Sequence, residues 1–249
     1  MTSRVAIVTG ASAGIGLATA SLLAERGYAI AINYRSQKEE AQKLCEKIAT
    51  KGGRGITVQA DVAKEEHVVR MFEFVDRELG PVGALVNNAG ITGGFARVED
   101  ISVKTLEEVF AANVTGTILC SREAVRRMST RHGGSGGVIV NVTSIASRTG
   151  GAGEWVHYAA SKGAVETFTR GLALEVVNEG IRVNAVSPGL IETGIHGAAG
   201  DPERLKRMAP SIPMGRAGTV EEVAEAVAWM LSDAASYVTG TTLEVGGGR

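Results

Sequence analysis

Short apolar runs alternate with helical stretches along the whole chain, and this alternation restricts the folds that the sequence can adopt. The first run, residues 4–9, is rich in β-branched apolar residues, as in strands buried on both faces of a parallel sheet. A helical stretch over residues 17–26 follows and stops at Gly27, a frequent residue after the last turn of a helix. The sequence therefore predicts an α/β protein with a single domain over residues 1–249. Its doubly wound parallel sheet is expected to have about seven strands, with helices on both faces.

A glycine-rich turn joins the first strand to the first helix. Glycine lets a backbone approach a pyrophosphate closely, and the helix amino terminus behind it offers free N–H groups and a positive dipole end. The turn therefore predicts a dinucleotide site in a fold of the Rossmann type, although an ordinary strand-to-helix turn can have the same composition. The candidate contacts are Gly10, Ser12, Ala13, Gly14, Ile15 and Gly16.

The corner after the second strand bears on the choice of cofactor. The strand covers residues 28–33, and Tyr34, Arg35 and Ser36 follow it. Rossmann folds that prefer NAD usually carry a carboxylate here for the adenosine ribose, whereas a nearby arginine accommodates a 2′-phosphate. This corner has no carboxylate, and Arg35 can pair with a phosphate to which Ser36 donates. The sequence predicts that NADP(H) is preferred, with NAD(H) also usable; a solvated arginine without a ligand is the alternative.

Two further strand ends carry candidate cofactor contacts. The third strand, residues 54–60, ends in Asp61 and Val62. Asp61 could bind an adenine amino group, cap the helix of residues 64–79, or do both. The fourth strand, residues 83–86, is followed by two asparagines and a small pair, which suit a close backbone approach to a cofactor and are also common in plain turns. The candidates there are Asn88, Ala89 and Gly90.

Two polar residues, one inside a predicted helix and one at the end of a strand, are candidate catalytic residues. Asn113 lies in the middle of a long predicted helix, residues 102–128, where asparagine is a mediocre helix former. It can be a surface residue without a role, or mark a distortion whose freed backbone carbonyl binds water. Ser144 follows the fifth strand, residues 138–142, and can either end that strand or donate a hydrogen bond to a substrate oxygen.

Tyr158 and Lys162 are four residues apart in a predicted helix, which places both side chains on one face. A free tyrosine has a pKa of about 10 and is a poor base at neutral pH. A nearby ammonium favours the phenolate and lowers that pKa. We therefore expect Lys162 to tune Tyr158 to exchange a proton near pH 7; a shared surface face without a role is the alternative.

The remaining segments complete the predicted organisation. Residues 190–218 contain several Gly and Pro and no strand pattern, which predicts a substrate lid. Residues 36–39 and 219–222 match the capping-box pattern, which predicts helices beginning there. The loop of residues 145–157 leads to the Tyr158 helix, and residues 242–245 form the last strand.

Taken together, these residues resemble the short-chain dehydrogenase/reductase family over essentially the whole chain. The family's TGxxxGxG loop matches residues 9–16, its NNAG matches residues 87–90, and its N-x-V-x-P-G matches residues 184–189. Its catalytic tetrad matches Asn113, Ser144, Tyr158 and Lys162. The resemblance is strongest to 3-oxoacyl carrier-protein reductases and glucose-dehydrogenase-like members. It adds as cofactor contacts Pro188, Gly189, Ile191 and Thr193.

The resemblance implies an oxidoreductase that transfers hydride between a nicotinamide and a small carbonyl or secondary-alcohol substrate. Tyr158 would exchange the proton, and Ser144 would hydrogen-bond the developing oxyanion. Lys162 would tune Tyr158, bind the nicotinamide ribose and, with a water held by Asn113, resupply the proton. Two residues depart from relatives: Glu179 would repel an acidic carrier protein, and Gly246 replaces a common aspartate.

The resemblance also implies a homotetramer or homodimer. The expected contact faces are formed by Ala111, Ala112, Val114, Phe168, Leu172 and Val176.

The composition indicates which classes of binding partner and which cellular compartment to expect. The net charge is −1, with 26 basic and 27 acidic residues, which gives no reason to expect nucleic acid or a membrane surface as a partner. The four histidines lack metal-ligand spacing, no apolar run is of transmembrane length, and the first residues lack a signal pattern. With its two cysteines in separate apolar segments, the chain is expected to be cytoplasmic and without a metal site.

Two other classes of protein remain as alternatives. A catalytically silent nucleotide-sensing or scaffold protein could use the same fold. A methyltransferase also carries a glycine turn after its first strand, but it has no use for the Tyr158–Lys162 pair.

Overall fold

A computed structural model describes residues 4–194, 200–201 and 203–249. Its centre is a parallel sheet with the strand order β3-β2-β1-β4-β5-β6-β7. The strands are β1 (Val5–Val8), β2 (Ala29–Tyr34), β3 (Gly55–Gln59), β4 (Val82–Asn87), β5 (Gly137–Val142), β6 (Ile181–Pro188) and β7 (Thr242–Val245). The predicted doubly wound, seven-stranded Rossmann sheet is confirmed.

Helices cover both faces of this sheet. They are α1 (Gly14–Glu25), α2 (Lys38–Thr50), α3 (Glu65–Glu78), α4 (Val103–Phe110), α5 (Gly116–Met128), α6 (Ala146–Thr149), α7 (Val156–Val176), α8 (Arg204–Met208) and α9 (Val220–Leu231). Short 3₁₀ turns lie at Val98–Asp100, Thr130–His132, Val177–Glu179, Ala209–Ser211 and Asp233–Ala235. Within the ranges described, none of the helices is both long and apolar enough to cross a membrane.

Alternation along the strands builds two separate apolar cores. In β1, Ala6 and Val8 face the core covered by α1, α2 and α9, whereas Val5 and Ile7 face the core covered by α3, α5 and α7. All four side chains are buried, because successive residues of a strand point to opposite sides and both sides carry helices. This burial explains why the strands have continuous apolar sequences.

The predicted helix over residues 102–128 is interrupted at Asn113. A turn of π-helix, Ala111–Thr115, joins α4 to α5, and such insertions free a backbone carbonyl. The Asn113 carbonyl accepts a hydrogen bond of 2.8 Å from the Thr117 hydroxyl, and its second lone pair remains for a further donor. Of the two alternatives for Asn113, the structure shows the distortion, and the residue is buried rather than on the surface.

A hydrogen-bonded polar seam crosses the core between the sheet and two helices. The Asn87 amide donates to the Ser121 hydroxyl at 3.0 Å and to the Asn141 side-chain oxygen at 2.9 Å. The Asn141 amide in turn donates to the Thr169 hydroxyl at 2.8 Å. The seam thus links β4 and β5 to α5 and α7 by side chains that are otherwise enclosed by apolar residues.

Two of the predicted helix caps are absent from the structure, and a third is present. The capping box at residues 36–39 is wrong, because α2 has Gln37 at its cap position without a side-chain capping bond. Asp61 does not cap α3, which begins at Glu65; its carboxylate accepts from the Ala63 N–H instead. Thr219 and Glu222 form the predicted capping box of α9.

The segments around the sheet's carboxyl edge contain more helix than the sequence indicates. The predicted loop of residues 145–157 includes α6, and α7 begins two residues before Tyr158. Of the expected lid, residues 195–199 and 202 lie outside the described residues. The described part of the lid contains α8. An isolated β-bridge between Ile191 and Gly218 joins the two ends of the lid.

Candidate active site

A cavity of about 800 Å³ opens at the carboxyl ends of the strands. It joins the glycine turn, the corner after β2 and the Tyr158 helix in one space. The predicted site residues that line it are Gly10, Ser12, Ala13, Gly14, Ile15, Arg35, Ser36, Asp61, Val62, Asn88, Ala89, Gly90, Ser144, Tyr158, Lys162, Pro188, Gly189, Ile191 and Thr193. Three predicted site residues lie behind this wall: Gly16, Tyr34 and Asn113.

The glycine turn has the backbone that a phosphate-binding loop requires. Gly10 and Gly14 have φ angles of +62° and +53°, which other L-residues rarely adopt. At Gly16, an added Cβ would lie 2.4 Å from the Asn88 amide nitrogen and 2.4 Å from the Gly10 carbonyl oxygen. Gly16 is therefore required for close packing behind the turn, and it does not itself face the cavity.

Two side chains that sequence reasoning left without a role hold this turn in place. The Thr9 hydroxyl accepts from the backbone N–H groups of Asn88 and Ala89, both at 3.0 Å. The Asn33 side-chain oxygen accepts from the Gly10 N–H at 3.2 Å, while its amide donates to β3 and to the Ala60 carbonyl oxygen. The motif position of Thr9 was a usable signal; for Asn33 only its place at a strand end pointed to it.

The corner after β2 offers a cation to the cavity. Arg35 is exposed, and it makes no ion pair within the part of the chain that the structure describes. Ser36 is also exposed, whereas Tyr34 is only 5% exposed and packs in the core. Gln37, which was not predicted, lines the cavity and accepts a 2.9 Å hydrogen bond from the Ser12 hydroxyl. The corner and the glycine turn are therefore directly connected.

The residues after β3 form a further part of the cavity wall. The Asp61 carboxylate accepts from the Ala63 N–H at 3.1 Å, and the Asp61 N–H donates to His67 Nδ1 at 3.2 Å. Val62 lines the same wall and is buried. The remaining carboxylate lone pairs of Asp61 leave it able to accept from a ligand amine.

Burial dominates the electrostatics of Tyr158. It raises the pKa of the Tyr158 phenol to about 12, and a hydrogen bond with Ser144 partly offsets this effect. The expectation that Lys162 lowers the pKa of Tyr158 is not met in this structure: burial disfavours the phenolate, and the opposing effect comes from Ser144. At neutral pH, Tyr158 is therefore a protonated phenol that can donate a proton.

Lys162 lies on the same helix face as Tyr158, as predicted. Its Nζ lies 5.7 Å from the centre of the Tyr158 ring and donates a 2.8 Å hydrogen bond to the Val142 carbonyl oxygen. Burial lowers the pKa of Lys162 to about 8, against an opposing effect of Glu166. The ammonium therefore lies in the cavity wall, where burial disfavours its charge.

Asn113 positions the site from behind. Its side chain exchanges hydrogen bonds with both backbone groups of Ile91, at 2.8 and 2.9 Å, and donates to Ser161 at 2.9 Å. An added Cβ at Gly90 would lie 3.0 Å from the Asn113 side-chain oxygen and 3.5 Å from Lys162 Nζ. The Asn113 amide therefore fixes the backbone after β4 against the Tyr158 helix.

Several cavity residues around Tyr158 and in the segments after β4 and β6 were not predicted. They lie in loops or in helices of only one turn, α6 and α8, where the sequence carries no periodic pattern. They are Ile91, Thr92, Thr149, Ala152, Glu154, Trp155, Leu190, Arg204 and Met208.

Comparison with known proteins identifies the class of protein. A family profile described as enoyl-(acyl carrier protein) reductase matches residues 10–249. With this match and the relatives below, the chain belongs to the short-chain dehydrogenase/reductase family, whose members are oxidoreductases that use nicotinamide cofactors.

Individual relatives agree with this assignment. The chain is 51% identical to the uncharacterized oxidoreductase YgfF of Escherichia coli K12, over 98% of this chain and 99% of that protein. It is 36% identical to glucose 1-dehydrogenase 2 of Bacillus subtilis 168, over 100% and 95%. The crystal structure of acetoin dehydrogenase YohF from Salmonella typhimurium is similar with a TM-score of 0.87 at 38% identity, covering 99% of this chain and 96% of that one. The resemblance to this family is confirmed.

The residues at the cavity fit a dinucleotide. The positive-φ glycines Gly10 and Gly14 and the exposed cation of Arg35 lie along one continuous wall that also includes Lys162 and Tyr158. In the ranges that the structure describes, no group of three or more His, Cys, Asp or Glu side chains could hold a metal ion.

Proposed function

We propose that this chain is an NADP(H)-preferring oxidoreductase that interconverts a small carbonyl compound and a secondary alcohol, with Tyr158 as the general acid and base. The observation that carries the proposal is the single cavity that connects Arg35 and Ser36 at one end with Ser144 and Tyr158 at the other. A dinucleotide that spans it would have its reactive ring beside a buried phenol. Two relatives are named as dehydrogenases of glucose and of acetoin, which supports a small hydroxyl-bearing substrate.

The chain's own groups would divide the work as follows. Bound NADP(H) supplies or accepts the hydride, and the protein orients the reacting groups. The Tyr158 hydroxyl gives a proton to the substrate oxygen, and Ser144 donates a hydrogen bond to the same oxygen as negative charge develops on it. Lys162 would hold the nicotinamide ribose, and the Asn113 carbonyl would hold a water that resupplies the proton.

The preference for NADP(H) is supported by the charge at the corner. Arg35 would gain a charge-assisted contact with a 2′-phosphate, whereas a ribose hydroxyl would find no carboxylate there. Since Arg35 is exposed, solvent and salt would weaken the contact. NAD(H) should therefore still be used at a measurable rate.

The Arg35→Ala substitution tests this preference. We expect the ratio of kcat/KM for NADP(H) over NAD(H) to fall about tenfold, the effect of one screened charge-assisted hydrogen bond. The matched control is Arg70→Ala: both arginines line a neighbouring surface depression, but only Arg35 also lines the cofactor cavity. A wild-type enzyme that favours NAD(H), or an unchanged ratio in Arg35→Ala, would show that the corner does not select the 2′-phosphate.

The activity itself is tested with binding and turnover in parallel. Fluorescence enhancement of NADPH and NADH on mixing measures cofactor binding, and a panel of small ketones and secondary alcohols assayed at 340 nm measures turnover. Binding with turnover of at least one pair supports the proposal. Binding without turnover across the panel would instead favour a nucleotide sensor or scaffold, and no binding would favour a different cofactor class such as that of methyltransferases.

We also propose a homotetramer or homodimer, although the predicted faces need correction. Ala112 and Val176 are buried, and Leu172 packs on the core. Other apolar residues of α4, α5, α7 and the 3₁₀ turn after α7 are exposed instead: Val103, Leu106, Phe110, Ile118, Leu174 and Val177. Exposed apolar stripes of this kind are typical of interfaces.

We also propose that the protein is located in the cytoplasm. The free thiols of Cys45 and Cys120 support this location.

Phe110→Glu tests the assembly. The charge would be placed in the centre of the exposed stripe, so we expect a shift toward smaller species in light scattering at micromolar concentration. Val98→Glu, at an exposed apolar residue outside α4, should leave the mass unchanged. A wild-type monomer would count against the oligomer, and an unshifted Phe110→Glu oligomer would place its interface elsewhere.

A further inference from the structure

Arg204 is a buried charged residue that the proposed reaction does not use. It begins α8 and is only 4% exposed. Its side chain lines the substrate end of the cavity together with Glu154, Trp155 and Tyr158. A charge held so far from water requires specific partners, and those partners indicate its role.

Two kinds of contact hold Arg204. Its Nη2 lies 2.6 Å from Glu154 Oε2 and its Nε lies 3.3 Å from Glu154 Oε1, so one carboxylate receives two N–H groups. The guanidinium carbon lies 4.6 Å from the centre of the Trp155 ring and 6.0 Å from that of Phe95. Both distances are in the range of cation–π attraction.

Trp155 carries this network to the reacting tyrosine. Its ring stacks on Phe95 with centres 4.8 Å apart and lies 5.5 Å from the Tyr158 ring at an angle of 51°. The Glu154 carbonyl oxygen also accepts from the Ala96 N–H at 2.8 Å. Through Arg204, the segment after β6 therefore contacts both loops that surround the substrate side of Tyr158.

We propose that Arg204 is a positioning residue that holds Trp155 beside Tyr158 and so sets the cavity wall that selects the substrate. Without Arg204, Trp155 loses a cation at its ring, and Glu154 remains as an unpaired, partly buried carboxylate. Only the kinetic part of this proposal depends on the oxidoreductase function proposed above; the placement of Trp155 can be tested without any substrate.

Tryptophan fluorescence provides the first test. The chain has two tryptophans, so Trp229→Phe leaves Trp155 as the single tryptophan, which is excited selectively at long wavelength. In that background we expect Arg204→Met to shift the emission to the red and to increase quenching by acrylamide, because Trp155 becomes more exposed. Arg204→Lys keeps the charge but lacks the planar fork, so it should restore the emission only in part. Glu154→Gln, which keeps the shape of the partner, should give an intermediate shift.

Arg207→Met is the matched control. Arg207 lies three residues further on in α8 and pairs with Asp201 at the surface, with 59% of its side chain exposed. Its loss should leave the Trp155 emission unchanged. Unchanged emission in both Arg204→Met and Glu154→Gln would overturn the proposal, and circular dichroism would show whether a variant had lost its fold.

Kinetics provide the second test, with the best substrate found in the panel. We expect KM for that substrate to rise about tenfold in Arg204→Met, equivalent to about 1.4 kcal/mol of substrate binding, because a displaced Trp155 no longer forms the wall on which the substrate packs. The cofactor Kd and kcat should change little. An unchanged KM would overturn the role in substrate selection. If the wild type turns over nothing in the panel, the proposed function fails while the fluorescence result still decides the placement of Trp155.

Discussion

Replacing Tyr158 with phenylalanine is expected to lower turnover by about two orders of magnitude or more, the usual contribution of a positioned acid or base. The ring and its contact with Trp155 would remain, while the proton and the hydrogen bond with Ser144 would be lost. Cofactor affinity should change little. Steady-state kcat with the best substrate, together with NADPH titration, measures both quantities.

Tyr237→Phe is the control for this change, because Tyr237 is fully exposed on the surface. The wild-type pH profile supplies a second check. Burial raises the pKa of Tyr158 to about 12, so the phenolate needed for alcohol oxidation becomes more abundant as pH rises toward that value. Oxidation should therefore accelerate with pH from neutrality, whereas reduction, which uses the neutral phenol, should stay nearly level. Near-normal turnover in Tyr158→Phe would remove Tyr158 from the role of the acid.

Lys162→Met is expected to have two effects of opposite sign: turnover falls by about two orders of magnitude, and stability at neutral pH rises. The pKa of Lys162 is lowered from 10.5 to about 8 by burial, which corresponds to a destabilisation of the protonated folded state of about 3 kcal/mol. Loss of the hydrogen bond to the Val142 carbonyl would cancel part of this gain.

The sign of the pH dependence follows from linkage. Below pH 8 the folded state bears the buried charge in full. Between pH 8 and 10.5 the unfolded chain binds more protons than the folded one, so the contribution of Lys162 to the free energy of unfolding increases with pH. Above pH 10, the raised pKa of Tyr158 has the opposite effect.

Denaturant unfolding at pH 7, 8, 9 and 10 therefore measures the difference in the free energy of unfolding between Lys162→Met and the wild type. The advantage of Lys162→Met over the wild type should shrink as pH rises from 8 to 10. The control Lys104→Met, at a side chain that is 83% exposed, should run parallel to the wild type. A Lys162→Met profile parallel to the wild type would contradict a buried ammonium with a lowered pKa.

The sheet was predictable because its five inner strands, β2, β1, β4, β5 and β6, are covered on both faces. Such strands need continuous apolar sequence, as in β1 and β2, and that pattern is hard to produce in another way. The Tyr158–Lys162 pair was readable for a similar reason, since helical spacing alone places both residues on one face.

The wall of the cavity was less predictable, because its contacts are not local. Arg204 and Glu154 are 50 residues apart and lie in segments rich in glycine and proline, so no periodicity connects them. Tyr34 was expected among the cofactor contacts, but its side chain packs in the core, and the reason is different. A residue at the last position of a strand can face the core or the ligand, and packing against the helices decides between them. The pKa of Tyr158 was misjudged because burial depth cannot be read from a sequence.

The polar seam of Asn87, Ser121, Asn141 and Thr169 has a consequence for how the chain folds. Asn87 and Asn141 are paired directly across β4 and β5, and apolar residues alone would tolerate a shifted alignment of these strands. A slip by one residue would leave several buried amide and hydroxyl groups without partners, at a cost of about 1–3 kcal/mol for each. The seam therefore favours the native register of β4 and β5, because folding intermediates with these strands misaligned are destabilised even where they bury as much apolar surface.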